Sequence, residues 1–173
     1  MEFYKVVKTR RSVRAYKPEM PDKKAINRVL ETTRQAPSGS NRQPWKFILV
    51  TDAVKRGQLQ KACGDQKFVG EAPIVVVACG YDVRYNRGGY MGDKAFLVDV
   101  SIAFTHLILA ARAEGLGTCW IGDFENEEVK KILEIPENWD VTAITPLGYP
   151  KGDPFKETDR RKPLDEITNQ NRF

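Results

Sequence analysis

At 173 residues, with 41% hydrophobic and 29% charged side chains, the chain has the composition of one globular domain, residues 1–173, and not of a disordered or repetitive protein. Three widely spaced cysteines and one histidine exclude a disulfide framework and leave no ligand set for zinc; the thiols suit the reducing cytoplasm. A net charge of +5 points to an anionic partner, a requirement that nucleic acid, a phosphorylated cofactor and acidic small molecules all satisfy.

Residues 2–8 carry apolar side chains at Phe3, Val6 and Val7, consistent with one short amphipathic helix. The arginine-rich segment TRRSVRAYKP, residues 9–18, follows as a turn. Asp22 is suited to cap a helix that runs to about Gln35, with Ile26, Val29 and Leu30 on one face and Pro37 ending it. APSGSNRQPW, residues 36–45, is loop by composition. Two short apolar runs rich in β-branched residues, KFILVTD (46–52) and PIVVVACG (73–80), read as strands buried on both faces, with a helix over about 53–63 between them. Residues 81–93 are glycine-rich and lack a period; in this loop Tyr85, Arg87 and Tyr90 either line a pocket or face solvent.

From 94 to 114 the pattern is helical but apolar on every side. Phe96, Val100, Ala103, Leu107 and Ala110 follow one line, Leu97, Phe104, Ile108 and Ala111 lie beside it, and Val98, Ile102 and Leu109 lie opposite. Such a helix needs burial nearly all round, and a second copy of so small a chain is one way to supply it. Asp99, His106 and Arg112 interrupt the stretch, so it does not read as a membrane span. No apolar run follows the basic N-terminus, so no signal peptide is expected. GLGTCWIG (115–122) reads as a helix stop and a strand, ENEEVKKILEI (125–135) as a short amphipathic helix, and VTAITPLGYP (141–150) as a final strand before a polar tail. This order predicts an α+β domain: helices around a central mixed, mainly antiparallel sheet of about four to five strands.

Two stretches carry the chemistry. Arg10, Arg11 and Arg14 surround Ser12 with no acid nearby, and Arg160, Arg161 and Lys162 form a second basic group near the other end. A solvated basic face explains either group taken alone. Guanidinium, however, offers a planar fork of donors matched to phosphate, and the Ser12 hydroxyl adds another donor. If both groups converge on one phosphate, each charge pair contributes about 4 kcal/mol at roughly 4 Å and an effective dielectric near 20. The 36–45 loop offers Ser38, Ser40, Asn41 and Gln43 as uncharged donors and acceptors suited to a polar heterocycle, while Pro37, Gly39 and Pro44 equally explain it as a plain turn. Other chemistries lack support. Trp120 stands where a G-x-G-x-x-G fingerprint needs its last glycine, and neither GK[ST] nor G-x-S-x-G occurs. His106 sits inside the apolar helix as a core or interface residue, roughly 10 Å by helical rise from Asp99 and too far for a direct pair.

Taken in order, RRSVRAY, APSGSNRQPWKFILV, GLGTCWIG, ITPLGYP and RRKPLDE make the chain resemble the nitroreductase family of FMN-dependent oxidoreductases along nearly its whole length. The resemblance implies an α+β fold, an obligate homodimer with the buried helix at its core, two FMN molecules at the subunit interface, and NAD(P)H as electron source. It implies that Arg10, Arg11, Ser12 and Arg14 form the N-terminal flavin segment and that Arg161 helps to hold the phosphate. Pro37, Ser38 and Asn41 match the loop that reaches the flavin of the other subunit, Ile121 and Gly122 the stretch beside the reactive edge of the ring, and Gln66 a ring or ribityl contact. A cation near the pyrimidine end, which Arg14 could supply, favours the reduced ring. No side chain is implied as catalytic, because the flavin carries the chemistry, and Asp123 is given no role. The implied activity is ping-pong transfer of two electrons from NAD(P)H to a flat acceptor such as a nitroaromatic or quinone, with neither nucleic acid nor membrane as partner. Two alternatives stand beside it: a flavin-binding protein with a specialised reductive or carrier role, and a basic module whose grip on nucleic acid falls steeply with salt.

Overall fold

Four strands, β1 (Trp45–Val50), β2 (Ile74–Tyr81), β3 (Gly117–Thr118) and β4 (Trp139–Gly148), form one sheet in the order β1-β2-β4-β3, with each strand antiparallel to its neighbour. The structure is a computed structural model that describes residues 1–83, 92–158 and 160–173. Tyr85, Arg87 and Tyr90 lie outside the described residues. A parallel pairing enters the sheet through the single bridge Ser12 to Thr118, which lays the arginine segment alongside β3.

β2 organises the core because its β-branched run is buried on both faces. Ile74, Val76 and Ala78 join one hydrophobic cluster with Val29, Phe96, Val100, Phe104 and Leu107. The alternate residues Val75, Val77 and Cys79 join a second cluster with Leu59, Val69, Ile121 and Val129. Period-two alternation in a single strand therefore feeds two helical layers. β1 departs from the expected burial on both faces: it is an edge strand, and among its residues only Val50 is buried within the chain.

Three helices start where a carboxylate satisfies free amides of the first turn. The Glu2 carboxylate accepts from the Tyr4 and Lys5 amides at 2.9 and 3.0 Å to begin α1 (Phe3–Thr9). Asp22 accepts from Lys24 at 2.6 Å at the head of α2 (Lys23–Arg34), and Asp52 from Lys55 at 2.8 Å at the head of α3 (Ala53–Ala62). A short helix, α4 (Lys67–Glu71), follows where the sequence pattern gave no helical period. α5 (Ala95–Ala113) crosses the sheet, and α6 (Asn126–Leu133) ends at Glu134 in the left-handed region. In α1 only Val6 and Thr9 are buried; Phe3 is 64% exposed and Val7 is exposed too, so the apolar face expected there is left largely uncovered by the chain itself.

α5 is enclosed on one side only. Phe96, Val100, Ala103, Phe104, Leu107 and Ala111 are buried, whereas Val98 is 43% exposed. Leu97, Val98, Ser101, Ile102 and Thr105 line an open groove of about 410 Å³. The all-round apolar pattern in the sequence thus meets a fold that covers only part of it.

The arginine segment is extended rather than a turn. The Val13 amide donates to the Thr118 carbonyl at 2.9 Å and the Lys17 amide to the Tyr149 carbonyl at 2.8 Å, while the Lys151 amide donates back to Ala15 at 2.9 Å. Tyr16, 2% exposed, donates its hydroxyl to the Val13 carbonyl at 2.6 Å, and its burial pushes the phenol well above the usual range. The first and last parts of the chain therefore run side by side. A Cβ at Gly148 would approach Pro73 Cδ to 2.7 Å and Tyr16 Cδ1 to 3.3 Å, both on rings. Gly148→Ala is expected to lower stability by about 1–3 kcal/mol, the usual cost of overpacking, read as a lower urea midpoint at unchanged slope.

Candidate functional site

Arg10 leaves the end of α1, where its amide still donates to the Val6 carbonyl at 3.0 Å while its own backbone is already extended. That change of direction carries Arg10 and Arg11 onto the sheet edge, both half-buried. Arg11 Nη1 donates to the Arg10 carbonyl at 3.1 Å. Burial lowers the Arg10 guanidinium pKa most, and the positive charges of Arg161 and Arg11 lower it further. The charge of Arg161, from the tail, thus reaches Arg10 near the start of the sequence. Among the described residues, no carboxylate forms an ion pair with Arg10, Arg11, Arg14 or Arg161; the ion pairs present use Arg28, Arg34, Lys130 and Lys162.

Along the extended segment Ser12 and Arg14 stay exposed while Val13 is buried. The Arg14 guanidinium carbon lies 6.0 Å from the centre of the Phe68 ring, which places it beside α4. Gln66 stands at the head of that helix, two residues before Phe68, but its Nε2 is already donating to the Cys63 carbonyl at 2.9 Å.

Among the described residues no hydrogen bond, ion pair or ring contact joins loop 37–43 to Arg10, Arg11, Arg14 or Arg161. Ser40, Asn41 and Gln43 all have positive φ, at 50°, 54° and 51°. Strain of this kind costs about 1–3 kcal/mol per residue and persists only where the surroundings fix it. Three contacts do so. The Gln43 amide donates to Ser38 Oγ at 2.9 Å, Gln43 Nε2 donates to the Asn41 carbonyl at 3.1 Å, and the Gly39 amide donates to Asp99 Oδ1 at 3.0 Å. Asp99 is buried on α5, so the long helix holds this loop through a charge-assisted bond. Pro37 and Asn41 are exposed and Ser38 half-buried.

Ile121 exchanges backbone hydrogen bonds with Ile144 at 2.8 and 3.1 Å, and its side chain belongs to the core. Gly122 beside it is exposed and has open space around its α-carbon, with only Trp120 Nε1 within 4 Å of a Cβ built there. Trp120 stacks edge-on against Phe104 at 4.7 Å and 88°, and remains 41% exposed. The sequence pattern treated this residue only as the break in a glycine motif. Asp123 is exposed; its charge adds to burial in pushing the Cys63 thiol up to about 12. His106 lines a different cavity, about 530 Å³, together with Phe3, Leu109 and the Arg28–Glu114 pair, whose shortest N–O distance is 2.5 Å. That hydrogen bond holds the Glu114 carboxyl below its usual range.

Comparison with known proteins fits this geometry. The model of the nitroreductase family matches residues 7–78 and 58–149. A relative from Archaeoglobus fulgidus, whose name pairs NADH dehydrogenase with NAD(P)H nitroreductase, is 33% identical over 171 residues that cover 96% of each chain. The crystal structure of a nitroreductase family protein from Clostridium novyi NT superposes with a TM-score of 0.82 at 34% identity, covering 91% of this chain and 89% of that one. An FMN-dependent nitroreductase from Clostridium difficile R20291 superposes with a TM-score of 0.83 at 25% identity, covering 98% and 99%. The chain belongs to the nitroreductase family and is an oxidoreductase.

Removing the acceptor on α5 tests how the strained loop is held. In Asp99→Ala the Gly39 amide loses its partner, a change worth about 1–3 kcal/mol, and amide exchange across residues 39–43 is expected to quicken in NMR measurements while the β2 amides keep their protection.

Proposed function

We propose that two copies of the chain, each a single domain of residues 1–173, form an FMN-dependent NAD(P)H oxidoreductase in the cytoplasm. The observation that carries this reading is the approach of exposed Arg161 to half-buried Arg10 and Arg11, without a carboxylate partner among the described residues. A donor set of that kind fits the phosphate of FMN, because each guanidinium can give paired hydrogen bonds to it. Arg10, Arg11 and Arg161 would hold the phosphate, with Ser12 adding a hydroxyl. Arg14 and Gln66 would face the ring and ribityl chain, and Gly122 would offer its backbone beside the ring. Pro37, Ser38 and Asn41 would reach across from the other copy, which agrees with no hydrogen bond, ion pair or ring contact joining the loop to Arg10, Arg11, Arg14 or Arg161 among the described residues.

The chemistry that bound FMN supplies is hydride uptake from NAD(P)H and delivery of two electrons to a flat acceptor such as a nitroaromatic or quinone. The chain's own part is to bind and orient: cations clasp the anionic end, and half-burial of Arg10 and Arg11 keeps their charge less screened than on an open surface. Support for the dimer comes from the uncovered groove along α5, whose apolar rim needs shielding from water. The three free, buried thiols suit a reducing compartment.

Two measurements test this reading. Protein loaded with FMN is expected to keep visible flavin absorption through gel filtration and to bleach anaerobically with NADH or NADPH. Arg10→Ala or Arg161→Ala should weaken FMN binding by about 10- to 100-fold, the loss expected for a charged hydrogen bond. A protein that never retains flavin, yet binds nucleic acid in a salt-sensitive way, would overturn the reading. Separately, Ile102→Glu places a charge on the α5 groove; sedimentation should give a dimer for the parent protein and a monomer for the variant.

A further inference from the structure

Arg112 lies in the last turn of α5 and is only 6% exposed, an unusual place for a guanidinium. A cation there gains something from the helix C-terminus, but that would hold equally for an exposed side chain reaching from the surface. Burial lowers its pKa, and the charge of Asp153 opposes this only in part. Among the described residues no carboxylate lies within ion-pair distance of it. Two neutral contacts hold it instead. Arg112 Nε donates to Thr9 Oγ1 at 3.0 Å, and the guanidinium carbon lies 4.0 Å from the centre of the Phe155 ring.

Both partners occupy significant places. Thr9 is the last residue of α1 and immediately precedes Arg10; its own hydroxyl donates to the Lys5 carbonyl at 2.6 Å, so the contact reaches the helix backbone. Phe155 sits in the tail that leads to Arg161, and it packs against Val13 and Tyr16 of the arginine segment together with Ala72. One buried side chain therefore touches the point where each basic segment departs from the body of the fold.

We propose that Arg112 is a positioning residue which fixes the two basic segments relative to each other and so sets affinity for the phosphate end of the cofactor. The proposal rests on the FMN reading above. Arg112 acts through Thr9 and Phe155, not on the anion. Keeping three guanidiniums converged requires that neither segment drift, because their mutual repulsion drives them apart whenever the anion is absent. A rigid link from α5 to both segments resists that drift in advance, and binding then loses less to ordering.

The test compares FMN with riboflavin, which shares the ring and ribityl chain but lacks the phosphate, using quenching of flavin fluorescence by the full-length protein. In Arg112→Met the FMN dissociation constant should rise by about tenfold or more while that for riboflavin stays within about threefold. Thr9→Val and Phe155→Leu each cut one tie and keep the apolar packing, so they decide the matter if Arg112→Met does not fold; each should raise the FMN constant by about three- to tenfold and spare riboflavin. Arg112→Lys, which keeps the charge and a donor but loses the flat face, should fall between the parent and Arg112→Met. The proposal is overturned if the folded variants keep the parent's preference for FMN over riboflavin, or if both constants rise in parallel, which marks general loosening. Failure of the parent protein to bind either flavin removes the FMN reading and this inference together, whereas a parent that prefers FMN with variants that do the same removes the inference alone.

Discussion

Like charges do not gather unaided, and the rest of this structure can be understood from what brings Arg10, Arg11 and Arg161 together. Burial of Arg10 raises the cost of holding Arg11 and Arg161 near it. The fold meets that cost with backbone pairing: the first and last segments are joined through Val13 to Thr118, Lys17 to Tyr149 and Lys151 to Ala15. Gly148, pressed against Pro73 and the Tyr16 ring, lets the segments approach this closely. A site that accumulates positive charge in this way is primed for an anion, because ligand binding relieves repulsion already present in the free protein.

α5 links that site to the remainder of the molecule. Its enclosed side builds the cluster beneath β2, its start holds the strained loop through Asp99, and its end carries Arg112. Two buried charges near opposite ends of one apolar helix thus each anchor a segment that bears functional groups. The side left open explains why apolar residues continue around the helix: they are the part of the hydrophobic surface that this chain alone does not cover.

Features governed by local chemistry were legible in the sequence. The caps at Asp22 and the run of β-branched residues in β2 follow from neighbours along the chain, as does the length of α5. The two basic groups were legible as runs of charge, but nothing along the chain between them announces that the charge of Arg161 reaches Arg10. Non-local features were less legible. The arginine segment looks like a turn because nothing within it announces its pairing with Thr118 and Tyr149. β1 has the composition of a central strand, yet the sheet ends there. α4 is too short to show a period, and the positive φ angles at Ser40, Asn41 and Gln43 depend on contacts with Ser38 and distant Asp99. Arg112 broke an apolar run, which spoke against a membrane span, but its partners Thr9 and Phe155 lie far from it along the chain.

Assembly of the cluster also has an order in time. Arg10 and Arg11 precede every strand in the sequence, whereas Arg161 follows every strand and α-helix. β4, which carries the core residues Val141 and Ile144, precedes Arg161 by a short span, so the last strand and the second arm of the anion clasp leave the ribosome close together. Maturation of the site is in that sense coupled to completion of the core, because both wait for β4.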